Sequence, residues 1–200
     1  MARPARYNRD LIINSAASVI AESGPASATI ARIAQAVGAP TGSIYHRFAS
    51  RNELLGEVWL RTVAGFQNEF VAHLAASDPK SGGLAAVHAV PRWVRNHPQE
   101  ARILLLYRSE DFLQRGWSAE MATQAKKLRL QMKESLHEFC QRLLGRSDAI
   151  SLQIVGFALA EAPLAALRGY AKESVPPPPI IDELLEGTYR AAMSLLGVRG

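Results

Sequence analysis

Apolar positions recur along nearly the whole chain at three- and four-residue steps, the spacing of helices with one buried face. Leu11, Ile12, Ser15/Ala16, Val19 and Ile20 mark a first helix over about 7–23. Ile30, Ile33, Ala34 and Val37 mark a second over 29–37, and Ile44 and Phe48 a third, from 41 or 42 to 48. A long fourth helix follows Ser50, with Leu55, Trp59, Val63, Phe66, Phe70 and Leu74 on one face, and residues 78–83 end it. Ser50 and Glu53 have capping-box spacing. Five more helices are predicted over 84–96 (with Pro91 inside), 99–108, 118–144, 148–170 (with Pro163 as a kink) and 180–196. The 109–116 stretch reads as a connection and 175–179 as a stiff polyproline-like linker. No strand alternation and no internal repeat interrupt this pattern. The fold class is therefore all-α, with about nine helices.

The pattern is least ordinary between Thr29 and Leu55. Gly38 stands where a helix C-terminus favours positive φ, and Ala39-Pro40 makes a turn. Two short helices joined this way form a helix-turn-helix, whose second helix can enter a major groove. That second helix has Ile44 and Phe48 for the core and Thr41, Gly42, Ser43, Tyr45, His46 and Arg47 left over. A solvated bundle corner would carry acids and lysines. This one carries hydroxyls, an aromatic ring, an imidazole, a guanidinium and no acid.

Charge sharpens the picture. Residues 1–51 hold six Arg (3, 6, 9, 32, 47, 51) against Asp10 and Glu22, so 6 − 2 = +4, while the whole chain carries +5. A basic end attracts a polyanion at long range. The single Cys140 excludes an intramolecular disulfide and any multi-cysteine metal site, which fits a reducing cytoplasm. No run of apolar residues reaches the 18 or so of a membrane span, and the basic start lacks the apolar core of a signal peptide.

The order of elements and the central motif resemble the tetracycline-repressor (TetR) family of bacterial regulators. The matching residues are Thr29, Ile33-Ala34, Ala36, Gly38, Thr41, Ile44-Tyr45, Phe48, Arg51 and Leu54-Leu55. The resemblance implies a three-helix DNA-binding domain (1–50), a helical effector-binding and dimerisation domain (51–200), and a homodimer on a palindromic operator in double-stranded DNA. It also implies repression relieved by a small molecule. By position, Tyr45 corresponds to a phosphate contact through its hydroxyl, and Thr41, Ser43 and His46 to candidates for base edges. Gly42 lies at the start of that recognition helix, and Thr29 and the amides near it, with Arg32, are expected near phosphate. Arg51 stands where the family usually has Lys, and is expected to reach a phosphate. Arg47 departs from the His common at its position.

Two-fold symmetry needs a self-complementary surface, expected from the two C-terminal helices through Ala160, Ala165, Ala166, Gly169, Leu184, Leu185, Thr188 and Leu195. Candidates for the effector pocket are Trp93, Tyr107, Phe112, Trp117, Met121, Met132, Phe157 and Glu161. Glu161 is included because an acid in so apolar a helix must be paired, protonated or in a polar cavity. The many apolar candidates favour a mainly hydrophobic effector. A second reading has no effector, the large domain serving only to dimerise or to hold a protein. An enzyme is disfavoured. Glu134-x-x-His137 has di-iron spacing but no second such pair, and no phosphate loop, nucleophile motif, metal-ligand spacing or cofactor motif is found.

Overall fold

Side chains at the helix starts set the element boundaries. Asn8 caps α1 (Arg9–Ser23) by accepting from the Leu11 amide at 2.8 Å. Gly24, at φ 80°, ends α1 and leads into a 3₁₀ turn at Pro25–Ser27. Thr29 caps α2 (Ile30–Val37), accepting from the Arg32 amide at 3.2 Å. The second helix of the turn, α3, is only Thr41–Tyr45, shorter than expected, because residues 46–47 already turn. Ser50 accepts from the Glu53 amide at 3.1 Å at the start of α4 (Arg51–Leu74), and Glu53 reaches back to the Ala49 amide at 2.7 Å.

The structure, a computed structural model, describes residues 7–112 and 117–198; the arm Met1–Arg6 and part of the 109–116 connection lie outside the described residues. Beyond α4 come α5 (Pro79–Asn96), α6 (Pro98–Leu106), α7 (Ser109–Phe112) and α8 (Ala119–Leu144). Then α9 (Ala149–Gly156) runs through a π turn (Phe157–Glu161) into α10 (Ala162–Glu173), and α11 (Ile180–Leu195) closes the fold. With α9 and α10 taken as one continuous helix, there are ten helices and no strands among the described residues. The tenth is α7, which the sequence presented as a connection. The π turn lies just before Pro163, whose ring would crowd the Leu159 carbonyl of a regular helix and whose missing N–H could not bond it.

One boundary differs for a packing reason. Residues 78–83 are not a loop: Asp78 caps α5, and Gly82-Gly83 lie inside it. A Cβ on Gly82 would sit 2.6 Å from the His73 carbonyl, and one on Gly83 2.0 Å from the Tyr189 hydroxyl. At these two glycines α5 lies directly against the backbone of α4 and the Tyr189 side chain of α11.

Two apolar cores result. One runs from Phe66 and Trp93 through Phe139 and Leu159 to Leu185 and Met193, wholly within α4 and later elements. The other joins Ile12, Ile20, Ile33, Ile44, Phe48 and Leu55, and also takes in Ile103 of α6 and Phe112 of α7. In α1 the buried face includes Ile13, whereas Leu11 is exposed, one step off the expected stripe.

Candidate nucleic-acid interface

The corner between α2 and α3 is fastened by backbone and by one distant side chain. Gly38 takes φ 70°, and the Ala39 amide donates to the Ala34 carbonyl at 2.9 Å. The Tyr7 hydroxyl donates to the Gly38 carbonyl at 2.8 Å, which ties the chain ahead of α1 to the turn. Ile44 and Phe48 are fully buried and fix the rotation of α3 about its axis. The opposite face then points outward: Thr41, Gly42, Tyr45 and His46 are exposed, Tyr45 by 55%. Ser43 is half-buried at the edge of this face. A Cβ on Gly42 would meet nothing within 4 Å, so no packing inside the protein requires glycine there. A bare Cα on an outward face lets another backbone approach closely.

Thr29 combines two capacities. Its oxygen accepts from the Arg32 amide, which leaves its own O–H free to donate outward. The first amides of α2 have no partner within the helix, so hydroxyl and helix end together suit a phosphate oxygen.

The arginines are arranged differently from what the sequence suggested. Arg51 turns inward: its Nε donates to the Ala28 carbonyl at 2.8 Å and its Nη2 to the Pro25 carbonyl, and burial holds its pKa below the usual value. It staples α4 to the 3₁₀ turn, so in this structure its guanidinium is engaged within the protein rather than held out toward a phosphate. Arg47, in the turn after α3, is half-buried and donates back to the Ser43 carbonyl of that helix at 3.0 Å. Arg32 is exposed and leans back on Ser23 Oγ (3.1 Å) and the Ser27 carbonyl (3.3 Å). Exposed as it is, Arg32 can exchange those neutral partners for a phosphate.

Arg9 was not singled out by the sequence, yet it organises this end of the molecule. Its guanidinium lies 4.3 Å from the Phe48 ring centroid and donates to the Arg47 carbonyl at 2.6 Å. It also pairs with Glu57 and, at 3.5 Å, Glu53; the Glu57 hydrogen bond is the main cause of its raised pKa. Glu53 and Glu57 change the charge reckoning. Over residues 1–58 the count is six Arg against Asp10, Glu22, Glu53 and Glu57, so 6 − 4 = +2. The excess is +4 over residues 1–51 and +2 once the count runs on to residue 58, because two carboxylates of α4 face Arg9.

The effector candidates do not converge on one cavity. Tyr107 and Phe112 belong to the core that includes α1–α3: Phe112 is fully buried, with ring centroids 5.0 Å from Trp59 and 6.4 Å from Tyr107. Trp93 is buried edge-on to Phe66 at 5.2 Å, and Met132 lies half-buried against the bundle core. Phe157 is 48% exposed, and Glu161 is exposed as well, facing outward rather than into a cavity of its own chain. Only Trp117 and Met121 share a large hollow, of about 1230 Å³, between α1, α4 and the start of α8. Its lining is mixed, with Ile13 and Leu60 beside Arg9, Arg61, Glu57 and Asn68.

Residues 12–58 match the family model described as bacterial regulatory proteins, tetR family. The chain matches no curated protein by sequence. It is similar in fold to the TetR family transcriptional regulator PfmR from Thermus thermophilus, at 20% identity, TM-score 0.69, and 92% and 97% coverage of the two chains. The fatty acid degradation regulator FadR from Bacillus halodurans superposes at 17% identity and TM-score 0.68, over 96% of this chain and all of that one. FadR from Bacillus subtilis, solved in complex with stearoyl-CoA, does so at 14% identity and TM-score 0.64, again over 96% and 100%.

Proposed function

We propose that this chain, which belongs to the TetR family of bacterial regulatory proteins and is a non-enzymatic DNA-binding regulator, acts in the cytoplasm as a homodimeric repressor of a two-fold operator. The observation that carries this reading is the outward face of α3, where Thr41, Gly42, Tyr45 and His46 are exposed above Ile44 and Phe48. Thr41, Ser43 and His46 read base edges; Tyr45, Thr29 and Arg32 hold phosphates on either side. Arg47 and Arg51 support this face from within.

The dimer reading rests on apolar surface that one chain leaves uncovered. Ile150 (68%), Phe157 (48%), Leu184 (59%) and Leu195 (77%) are exposed on α9–α11, with Ala165, Ala166, Gly169 and Gly187 beside them. Large residues flanked by small ones suit close helix packing against a second copy. The continuous helix Ala149–Glu173 is long and apolar enough by composition to cross a membrane, although Glu161 interrupts its apolar run. Its inner side packs on α5, α6 and α11, and its outer side is the face that meets the partner protomer in this reading.

For the effector, the mixed lining of the hollow at Trp117 and Met121 supports a ligand with an apolar body and a polar or charged head. Stearoyl-CoA, bound by the Bacillus subtilis relative, is an example of such chemistry. The reading without an effector gains support from the bundle core, where Trp93 and Met132 are packing residues.

In vitro selection of DNA by the purified protein tests the proposal. The expected result is a pair of inverted half-sites at one spacing, bound by a dimer in sedimentation analysis. Enrichment of single, unpaired half-sites would overturn it. A panel of fatty acyl thioesters then separates the two readings of the bundle. Release from the selected DNA supports the effector, and indifference supports its absence.

A further inference from the structure

Arg102, on α6, lies between the end of a reading-head helix and the end of a helix on the proposed dimer face. Its Nε donates to the Ala21 carbonyl of α1 at 2.7 Å. Its Nη1 donates to the Ala171 and Lys172 carbonyls of α10, the latter at 3.0 Å, and to the Ser174 hydroxyl. These are last-turn carbonyls at the negative end of the helix dipole; of the three, Ala171 also accepts a long hydrogen bond from the Ser174 amide, at 3.4 Å. One planar cation therefore satisfies the C-termini of two helices at once. Lysine, a point charge without a fork, could not hold both directions.

The surroundings make this clamp stiff. Ser174 is the only non-glycine residue at positive φ (59°) among the described residues, and the hydroxyl of this strained residue accepts from Arg102. On the same α1–α6 seam, Ser18 Oγ donates to Gln99 Oε1 at 3.0 Å, and Ile103 is fully buried in the reading-head core. Beyond α10, Arg95 holds the linker to α11 through the Pro177 carbonyl at 2.9 Å and Asp182 at 2.9 Å. Arg95 thus ties α5 to the linker and α11, and Arg102 ties α6 to α10 and α1; the short chain from Ser174 to Pro177 joins the two clusters, and neither runs along α4.

We infer that Arg102 is the positioning residue that sets the separation of the two reading heads, and hence which half-site spacing the dimer accepts. It touches no DNA in this arrangement. It fixes α1, and so the core on which α3 rides, to the helix through which the two protomers meet. The inference rests on the dimer reading above, and the two can fail separately.

The test compares wild type with Arg102→Gln and Arg102→Lys on the selected operator and on duplexes with one base pair added to or removed from the spacer. One base pair displaces a half-site by about 3.4 Å and rotates it by about 35°. Wild type should prefer its own spacing by about tenfold or more. In Arg102→Gln that preference should fall to about twofold, with the half-site sequence preference unchanged. Arg102→Lys should fall between the two. If wild type shows no spacing preference, the dimer reading fails first. If wild type is selective and the variants are equally selective, Arg102 has no positioning role, even if their melting temperatures drop. Should Arg102→Gln not fold, the Lys variant decides the matter alone: full wild-type selectivity in it overturns the inference, and reduced selectivity supports it.

Discussion

Phe48 and Phe139 are both fully buried, but they are buried by different means. Phe139 sits in a core built wholly from residues 66–193, supplied by long helices that cover one another. Phe48 sits in a small core roofed by the Arg9 guanidinium and completed by Ile103 and Phe112, which lie some fifty and sixty residues further along the chain. The bundle is self-sufficient, whereas the reading head borrows from it. A unit of about 60 residues buries a smaller share of its surface than a larger one and is correspondingly marginal. The borrowed groups make up part of that shortfall, and they also oblige the head to follow α6 and α7.

The largest expected effect tests that dependence. Phe112→Ala removes a fully buried ring that touches Trp59 and Tyr107, and should cost about 3–5 kcal/mol. Hydrogen exchange should show the loss of protection in α1–α3, although Phe112 lies outside the first 50 residues. Loss of protection confined to the bundle would mean that the two regions are independent.

Arg51 gives the next effect and separates stapling from DNA contact. Arg51→Met leaves the Ala28 carbonyl without its donor and the Pro25 carbonyl with only the Ala28 amide at 3.2 Å, and should destabilise the head by about 1–3 kcal/mol. The salt dependence of DNA binding by the folded fraction should stay as in wild type. A drop of about one unit in the salt slope would instead return Arg51 to the phosphate backbone.

These two residues show what a single sequence reveals and what it conceals. Helix spans, the Gly38 turn and the outward set on α3 follow from local spacing, and the structure reproduces them within a few residues. The role of Arg51 depends on carbonyls 23 and 26 residues away, and that of Arg102 on residues 69 to 81 positions away. No periodicity encodes such partners. Tyr7 and Arg9 were missed for the same reason. Tyr107 and Phe112 were read as pocket lining because a buried aromatic looks the same in sequence whichever core receives it. Glu161 shows the complementary limit: its helix is apolar on an outer face that one chain leaves open, so an acid in an apolar stretch is exposed rather than buried.

A smaller effect is expected on the DNA-facing surface. Tyr45→Phe removes one outward hydroxyl from a half-exposed ring, so stability should change by less than about 0.5 kcal/mol. Operator affinity should fall by about 1 kcal/mol, roughly fivefold, and equally for all half-site variants. A loss restricted to one base position would move Tyr45 from phosphate contact to base reading.

The smallest effect concerns how each region begins its helices. The head caps α1, α2 and α4 with Asn8, Thr29 and Ser50, whose side chains do not titrate in the acid range. The bundle caps α5 and α9 with Asp78 and Asp148, which accept amide and hydroxyl hydrogen bonds from Ser81 and Ser151 respectively. Those bonds hold both carboxyls below the ordinary aspartate value of 3.8. A carboxyl with a lowered folded pKa stabilises the fold fully above its unfolded value, and the contribution fades as pH falls through the folded one. Acidification below about pH 4 should therefore loosen the starts of α5 and α9 while leaving the α1 and α2 caps, which hold no carboxylate, intact. Amide exchange at the first turns of α5 and α9, measured from pH 5 downward, should accelerate relative to α1 and α2 after correction for intrinsic rates. Asp78→Asn and Asp148→Asn should each abolish that difference at their own helix, because asparagine still caps but no longer titrates. If the head caps loosen first, acid sensitivity does not divide along the line between the two regions.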